Sequence, residues 1–325
     1  MARHVGFRTP PESAKAHVDV TSRVEYVFVL SRHGERTPLT QCSKLVKTSP
    51  EGYGQLTKTG RKQCKNLGKM LRERYPNLLK GQPGEVRATC NKLPRTFQGV
   101  RRTLKGLGFK DVIPAEDATD YDSIEVSALA KNYSSMIKEQ CIGQFKTMGD
   151  ILDYTVKNTG SPTKPEKAVL QSLDNVITHV HNGHPIPQWA SGHWQAMIWA
   201  HDRLFEMSLA GAKKRAATYA MTQLLNTLGK KFEKKRQLPD KMHLFMTSDV
   251  VVFSFVRLLC STYDKRPPFC ASFFFEVFLE KNEPRLHLMY YSEAVHASVA
   301  MDNLPNPCSV HEFTQELRRI LKINK

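Results

Sequence analysis

Hydrophobic and polar positions alternate in three regimes along the chain. An apolar run, YVFVLS, is cut off abruptly by charge and predicts a buried strand over Tyr26–Ser31. PEGYGQ (50–55) reads as a loop, and LTKTGRKQCKNLGKMLRERYPN as a helix capped by Thr57 and stopped by Pro76. Leu56, Leu67, Met70 and Leu71 share one face of that helix. GEVRATC (84–90) predicts a second strand, and PRTFQGVRRTLKGLG (94–108) a second helix that ends in glycine.

From about residue 112 to 239 the pattern changes to amphipathic helices separated by polar loops, as in HWQAMIWAHDRLFEMSLA and RAATYAMTQLLNTLGKKFEKK. A strand pattern returns at MHLFMT (242–247), breaks at Ser248–Asp249 and resumes as an apolar helix. FFFEVFLEK and RLHLMYY predict paired strands turned by KNEP, and SVHEFTQELRRIL a final helix capped by serine. Strand–helix alternation at both ends of a helical middle predicts an α/β core with a helical cap inserted in it. The expected division is a flexible lead-in over 1–22, a core from 23–111 and 240–325, and a cap over 112–239.

Charge adds a direction to this picture. Lys and Arg total 48 against 31 acids, a net +17, and 40% of the residues are hydrophobic. Between Lys58 and Lys105, 14 basic residues face two acids, Glu73 and Glu85. That excess suits an anionic partner or a solvated basic face. It lacks the interleaved aromatics that stack bases, so no nucleic-acid partner is expected. The seven cysteines form no CxxC pair. The first twenty residues carry no apolar signal segment, which reads as cytoplasmic if the N-terminus is complete and leaves secretion or lysosomes open if it is not. No run of about 18 apolar residues is present, so no transmembrane segment is expected.

Ligands of open α/β sheets collect beyond the carboxyl ends of strands. Three such ends carry charge here: Arg32, His33 and Arg36; then Arg87 to Arg95; then Asp249. Guanidinium forks bind phosphate oxygens bidentately. A histidine among them that donates one ring nitrogen to a carbonyl keeps the other free to attack phosphorus. His179, His181, His184, His193 and His201 invite a metal reading, but His193 and His201 stand eight apart rather than the four or so of a helical metal pair, so these read as surface or cap residues and no metal or other cofactor is expected.

RHGERTP (32–38) matches RHGxRxP, and the chain resembles the histidine acid phosphatases, of prostatic and lysosomal type, from Arg23 to Lys325. GQLTKTGRKQCKNLGKMLRERYP, PRTFQG, VHNGHPIPQW, PPFCASFFFEVFLEK and LPNPCSVHEF carry the resemblance onward. It implies a phosphoglycerate-mutase-like three-layer core with an inserted cap, and metal-independent hydrolysis of phosphomonoesters through a phosphohistidine. By that resemblance His33 is the nucleophile, Arg32, Arg36 and Arg95 hold the phosphate, and Asp249 protonates the leaving group. The family's second motif is His-Asp, whereas this chain has Ser248–Asp249. Ser248 donates only a neutral hydrogen bond to the phosphoryl group, so reduced activity is expected. A catalytically inactive homologue that binds phosphorylated or anionic ligands is the alternative. The expected partner is the phosphomonoester substrate, with a homodimer left open.

Overall fold

The computed structural model describes residues 23–45 and 51–323, so the lead-in expected over 1–22 lies outside the described residues. The N-terminal part runs β1 (Val24–Arg32), α1 (Lys58–Arg74), β2 (Val86–Asn91), α2 (Pro94–Leu107) and β3 (Ala115–Asp117). The middle supplies α3 (Tyr121–Met136), α4 (Met148–Thr159), α5 (Glu166–His181), α6 (Gln188–Ser191), α7 (Trp194–Ser208) and α8 (Lys213–Leu228). The C-terminal part follows as β4 (Met242–Thr247), α9 (Asp249–Leu259), β5 (Ser272–Glu280), β6 (Glu283–Tyr291), β7 (His296–Ser298), β8 (Cys308–Ser309) and α10 (Val310–Leu321).

The strands form one mixed sheet in the order β3-β2-β4-β1-β5-β6-β7, with β8 paired to β6. β3, β2, β4 and β1 are parallel neighbours, and β5 joins β1 antiparallel. Alternation along β1 divides its side chains between two cores. Tyr26, Phe28 and Leu30 pack with α8, α9 and α10, whereas Val27 and Val29 pack with α1 and α2. The result is a mixed α/β fold with a central sheet between helical layers. A third cluster, from Leu129 to Leu204, is built by α3, α4, α5 and α7. α8, drawn from the middle of the chain, packs against the sheet through Ala216, Ala220, Leu224 and Leu228. No helix among the described residues is long and apolar enough to cross a membrane.

Local signals explain most of these boundaries. Thr57 caps α1 by accepting from Gly60 N at 3.0 Å, and Gly108 ends α2 with φ 99°. The β5–β6 turn is shorter than KNEP: Lys281 and Asn282 both take positive φ, and Glu280 pairs with Glu283. That two-residue geometry matches the twist of the flanking strands and keeps Pro284 in β6. β3 spans three residues, too few to show a period in the sequence.

Candidate active site

The parallel register of β1 and β4 sets Arg32 opposite Thr247. His33 N donates to Thr247 O at 3.0 Å, which brings the residue after β1 beside the start of α9. Ser248 stands at the N-cap of that helix but makes no capping bond, and Asp249 is its first residue. The turn after β1 depends on two glycines. A Cβ on Gly34 would lie 2.3 Å from Gly60 O, and one on Gly60 would lie 2.0 Å from Glu35 O. Their bare backbones let α1 press against the turn. Gly34 therefore serves the packing of α1 against the turn.

His33 is 1% exposed. Its Nδ1 lies 2.8 Å from Gly34 O, and since a carbonyl only accepts, Nδ1 carries the proton. Nε2 is then left with its lone pair, and Arg95 Nε donates to it at 3.1 Å. Burial, reinforced by Arg95, Arg32 and Arg36, holds the imidazole well below its usual titration range. The nucleophile expected from the sequence is thus neutral, with its tautomer fixed by the backbone.

Arg32 and Arg36 enter the same site, but each holds a carboxylate. Arg32 Nη2 lies 2.8 Å from Asp249 Oδ2, and Arg32 Nη1 donates to Pro267 O at 2.5 Å. The face of Phe269 packs against the Arg32 guanidinium at 4.2 Å. Arg36 Nη2 donates to Asp174 Oδ2 at 2.7 Å. A further arginine joins the two acids. Arg266 reaches Asp249 Oδ2 through Nε and Nη2, both at 2.7 Å, and Asp174 Oδ1 through Nη1 at 2.6 Å. Arg32, Asp249, Arg266, Asp174 and Arg36 therefore form one chain of alternating charge. His201 Nε2 lies against both Asp174 Oδ1 and Arg266 Nη1. Asp174 comes from α5 and His201 from α7, so this chain ties the helical middle to the sheet.

The electrostatics follow from burial and pairing. Burial raises the proton affinity of Asp249, but Arg266 and Arg32 outweigh it and hold the carboxyl well below its usual range. Asp174 is held down likewise by Arg36 and Arg266 against the cost of burial. Burial lowers Arg32 to about 9 and Arg95 to about 10, which leaves both charged in acid and at neutrality. Arg95 has no carboxylate partner among the described residues.

A cavity of about 550 Å³ opens beside these groups and is lined by Asn91, Arg95, Asp174, His201, Ser248, Asp249 and Arg266, among others. Asn91, at the end of β2, is 2% exposed, and both its amide atoms lack a hydrogen-bond partner among the described residues. The Ser248 hydroxyl is equally unpartnered. Such buried orphan groups mark a place where a polar ligand belongs.

Arg32, His33, Arg36, Arg95, Ser248 and Asp249, all read from the sequence, are brought together here. Arg87 is not: its guanidinium serves Thr227 and His243 in the core. Asn91, Asp174, His201 and Arg266 were missed. Of the other histidines of the middle region, His181 lies beside the charged chain, its ring 6.2 Å from that of Phe269 and its proton affinity lowered by burial, His201 and Arg32. His179 stacks on His184, and His193 packs with Phe145 and Tyr154. All seven cysteines are unpaired.

Comparison with known proteins finds phosphatase relatives and structures of the same fold. The profile of the histidine phosphatase superfamily (branch 2) matches residues 41–132, which include Arg95. Testicular acid phosphatase of Mus musculus is 24% identical over 333 residues, covering 89% of this chain and 78% of that protein. Lysosomal acid phosphatase of Rattus norvegicus is 22% identical, covering 89% and 76%. Among solved structures, a Hafnia alvei phytase in complex with tartrate superposes with a TM-score of 0.65 at 14% identity, covering 92% of this chain and 97% of that one.

Proposed function

We infer that this chain, which belongs to the histidine phosphatase superfamily, hydrolyses phosphomonoesters through a phosphohistidine formed on His33. Its relatives include testicular and lysosomal acid phosphatases. The observation that carries the reading is the fixed tautomer of His33, Nδ1–H on Gly34 O with the Nε2 lone pair beside Arg95.

Charge supports the same reading. Four arginines, 32, 36, 95 and 266, meet two carboxylates, Asp174 and Asp249, leaving a net charge of +2. A phosphomonoester dianion neutralises that charge. The forks of Arg32, Arg36 and Arg95 bind and orient the phosphoryl oxygens. Arg95 then transfers its hydrogen bond from His33 to the phosphate, and Nε2 attacks phosphorus as the ester oxygen departs. Asp249 gives that oxygen a proton, help worth about 10²–10⁴-fold. Phosphate competes for Arg32 and Arg266, which weakens the grip that keeps Asp249 ionised. Water then attacks the phosphohistidine and passes a proton to the Asp249 carboxylate, which returns phosphate, the protonated acid and the neutral imidazole.

Activity is reduced in this reading, because Ser248 offers a neutral donor where a cation would stabilise transition-state charge better. A second reading is an anion-binding homologue without turnover. What favours it is the clamp of two arginines on Asp249. The test is aryl phosphate hydrolysis at pH 5 by the native chain and by Ser248→His. Slow native turnover, rising about tenfold or more in the variant, supports the first reading. No hydrolysis by either protein, with phosphate still bound, establishes the second.

A further inference from the structure

The cavity has two chemically distinct parts. Its polar floor holds Arg95, Asn91, Ser248, Asp249 and Arg266. Beyond the floor its wall is apolar, built from Leu129, Leu170, Leu173, Leu204, Phe205 and Leu209. Leu170 and Phe205 are partly exposed and supply the accessible apolar surface, while Leu129, Leu173, Leu204 and Leu209 are buried in the hydrophobic cores they pack on. The two parts meet where the Arg266 guanidinium lies 4.8 Å from the centre of the Phe205 ring. A phosphoryl group on the floor therefore directs the remainder of its ester along leucine side chains.

Charge at the rim points the same way. Asp120, Asp122 and Glu125 on or just before α3 line the opening, opposite Lys167 of α5. Lys167 is occupied: it bridges Asp122, and Glu125 lies 3.6 Å away. Lys92 is the one rim lysine with no carboxylate in salt-bridge reach among the described residues. Of the 14 basic residues between Lys58 and Lys105, Lys92 and Arg95 alone line the cavity. The strong positive charge of the chain is thus directed elsewhere. A second or third phosphate on a substrate would meet Lys92, the already bridged Lys167 and the carboxylates of Asp120 and Asp122, while burial pushes the Glu125 carboxyl up to about 7.

We propose that this cavity takes phosphomonoesters bearing a single phosphate on an apolar alkyl or aryl body, and discriminates against polyphosphorylated polar substrates. The proposal rests on the phosphatase reading of the floor and names its substrate class. Burial of each methylene against such a wall tightens binding about three- to fourfold when fully realised.

The experiment is calorimetric binding of methyl-, butyl- and hexylphosphonate and of inositol hexakisphosphate to the full chain at pH 6. Dissociation constants should fall by about threefold per methylene, and inositol hexakisphosphate should bind no tighter than methylphosphonate. Leu170→Asn should reduce the ratio of hexyl to methyl affinity several-fold. A flat chain-length series, tightest binding of inositol hexakisphosphate, or no binding of any phosphonate overturns the proposal. These ligands are not turned over. A chain that prefers hexylphosphonate yet hydrolyses no aryl phosphate would sink the hydrolytic reading and leave this one standing.

Discussion

Arg95 donates its Nε–H to Nε2 of His33 across 3.1 Å, so the nitrogen that would attack phosphorus is held by a residue that would bind the phosphate. In the proposed reaction one side chain would thereby serve both the resting and the loaded site. Removal should affect both. Arg95→Ala should lower kcat/KM for an aryl phosphate by about 10²–10³-fold. Arg95 also stands first among the charges that depress His33, after burial, so the ring should titrate at higher pH in the variant. NMR titration of His33 checks this. An unchanged titration would mean that Arg95 does not act on the nucleophile.

Arg266 controls the acid in this account. It grips Asp249 through two nitrogens at 2.7 Å and helps to hold that carboxyl down. Arg266→Ala should raise the proton affinity of Asp249. Since a general acid works only while protonated, the alkaline limb of the pH–rate profile for an alkyl phosphate should move to higher pH. Arg266→Lys, which keeps the charge but loses the fork, should lie between. Profiles from pH 3 to 8 decide the matter, and superimposable limbs would count against Asp249 as the proton donor.

Asp174 anchors the helical middle of the chain to the sheet through Arg36 and Arg266. Breaking a buried pair of this kind costs about 3–5 kcal/mol. Asp174→Asn should show that loss in urea denaturation at pH 7. The folded carboxyl is held well below its ordinary value of 3.8, so its stabilisation is complete above that pH. It is lost as pH falls from there through the folded value. The gap between native and variant stability should therefore narrow below about pH 4. A gap independent of pH would place the loss in packing rather than in charge.

Much of the site was legible because strand ends announce themselves. The apolar runs before Arg32 and Ser248 stop at charged or polar residues, and the parallel sheet sets those stops side by side. Arg95 was legible through family resemblance rather than periodicity. Asp174, His201 and Arg266 were not. Arg36 and Asp174 are 138 positions apart, and Arg266 and Asp174 are 92 apart, so only tertiary folding makes them partners. Asp174 sits in an ordinary amphipathic helix with nothing local to single it out. Asn91 falls one residue beyond the strand predicted over 84–90, and its unpartnered amide emerges only once the cavity beside it is seen.

The central claim is that His33 becomes covalently phosphorylated during turnover. The most direct measurement is rapid quenching of the enzyme with an aryl phosphate into alkali, which preserves phosphohistidine, followed by mass spectrometry of the peptide spanning Tyr26–Pro38. The account predicts a phosphorylated peptide, with the group on His33, forming within the first turnover and absent from His33→Ala. Steady hydrolysis with no phosphorylated peptide, or with phosphate on another residue, would contradict it.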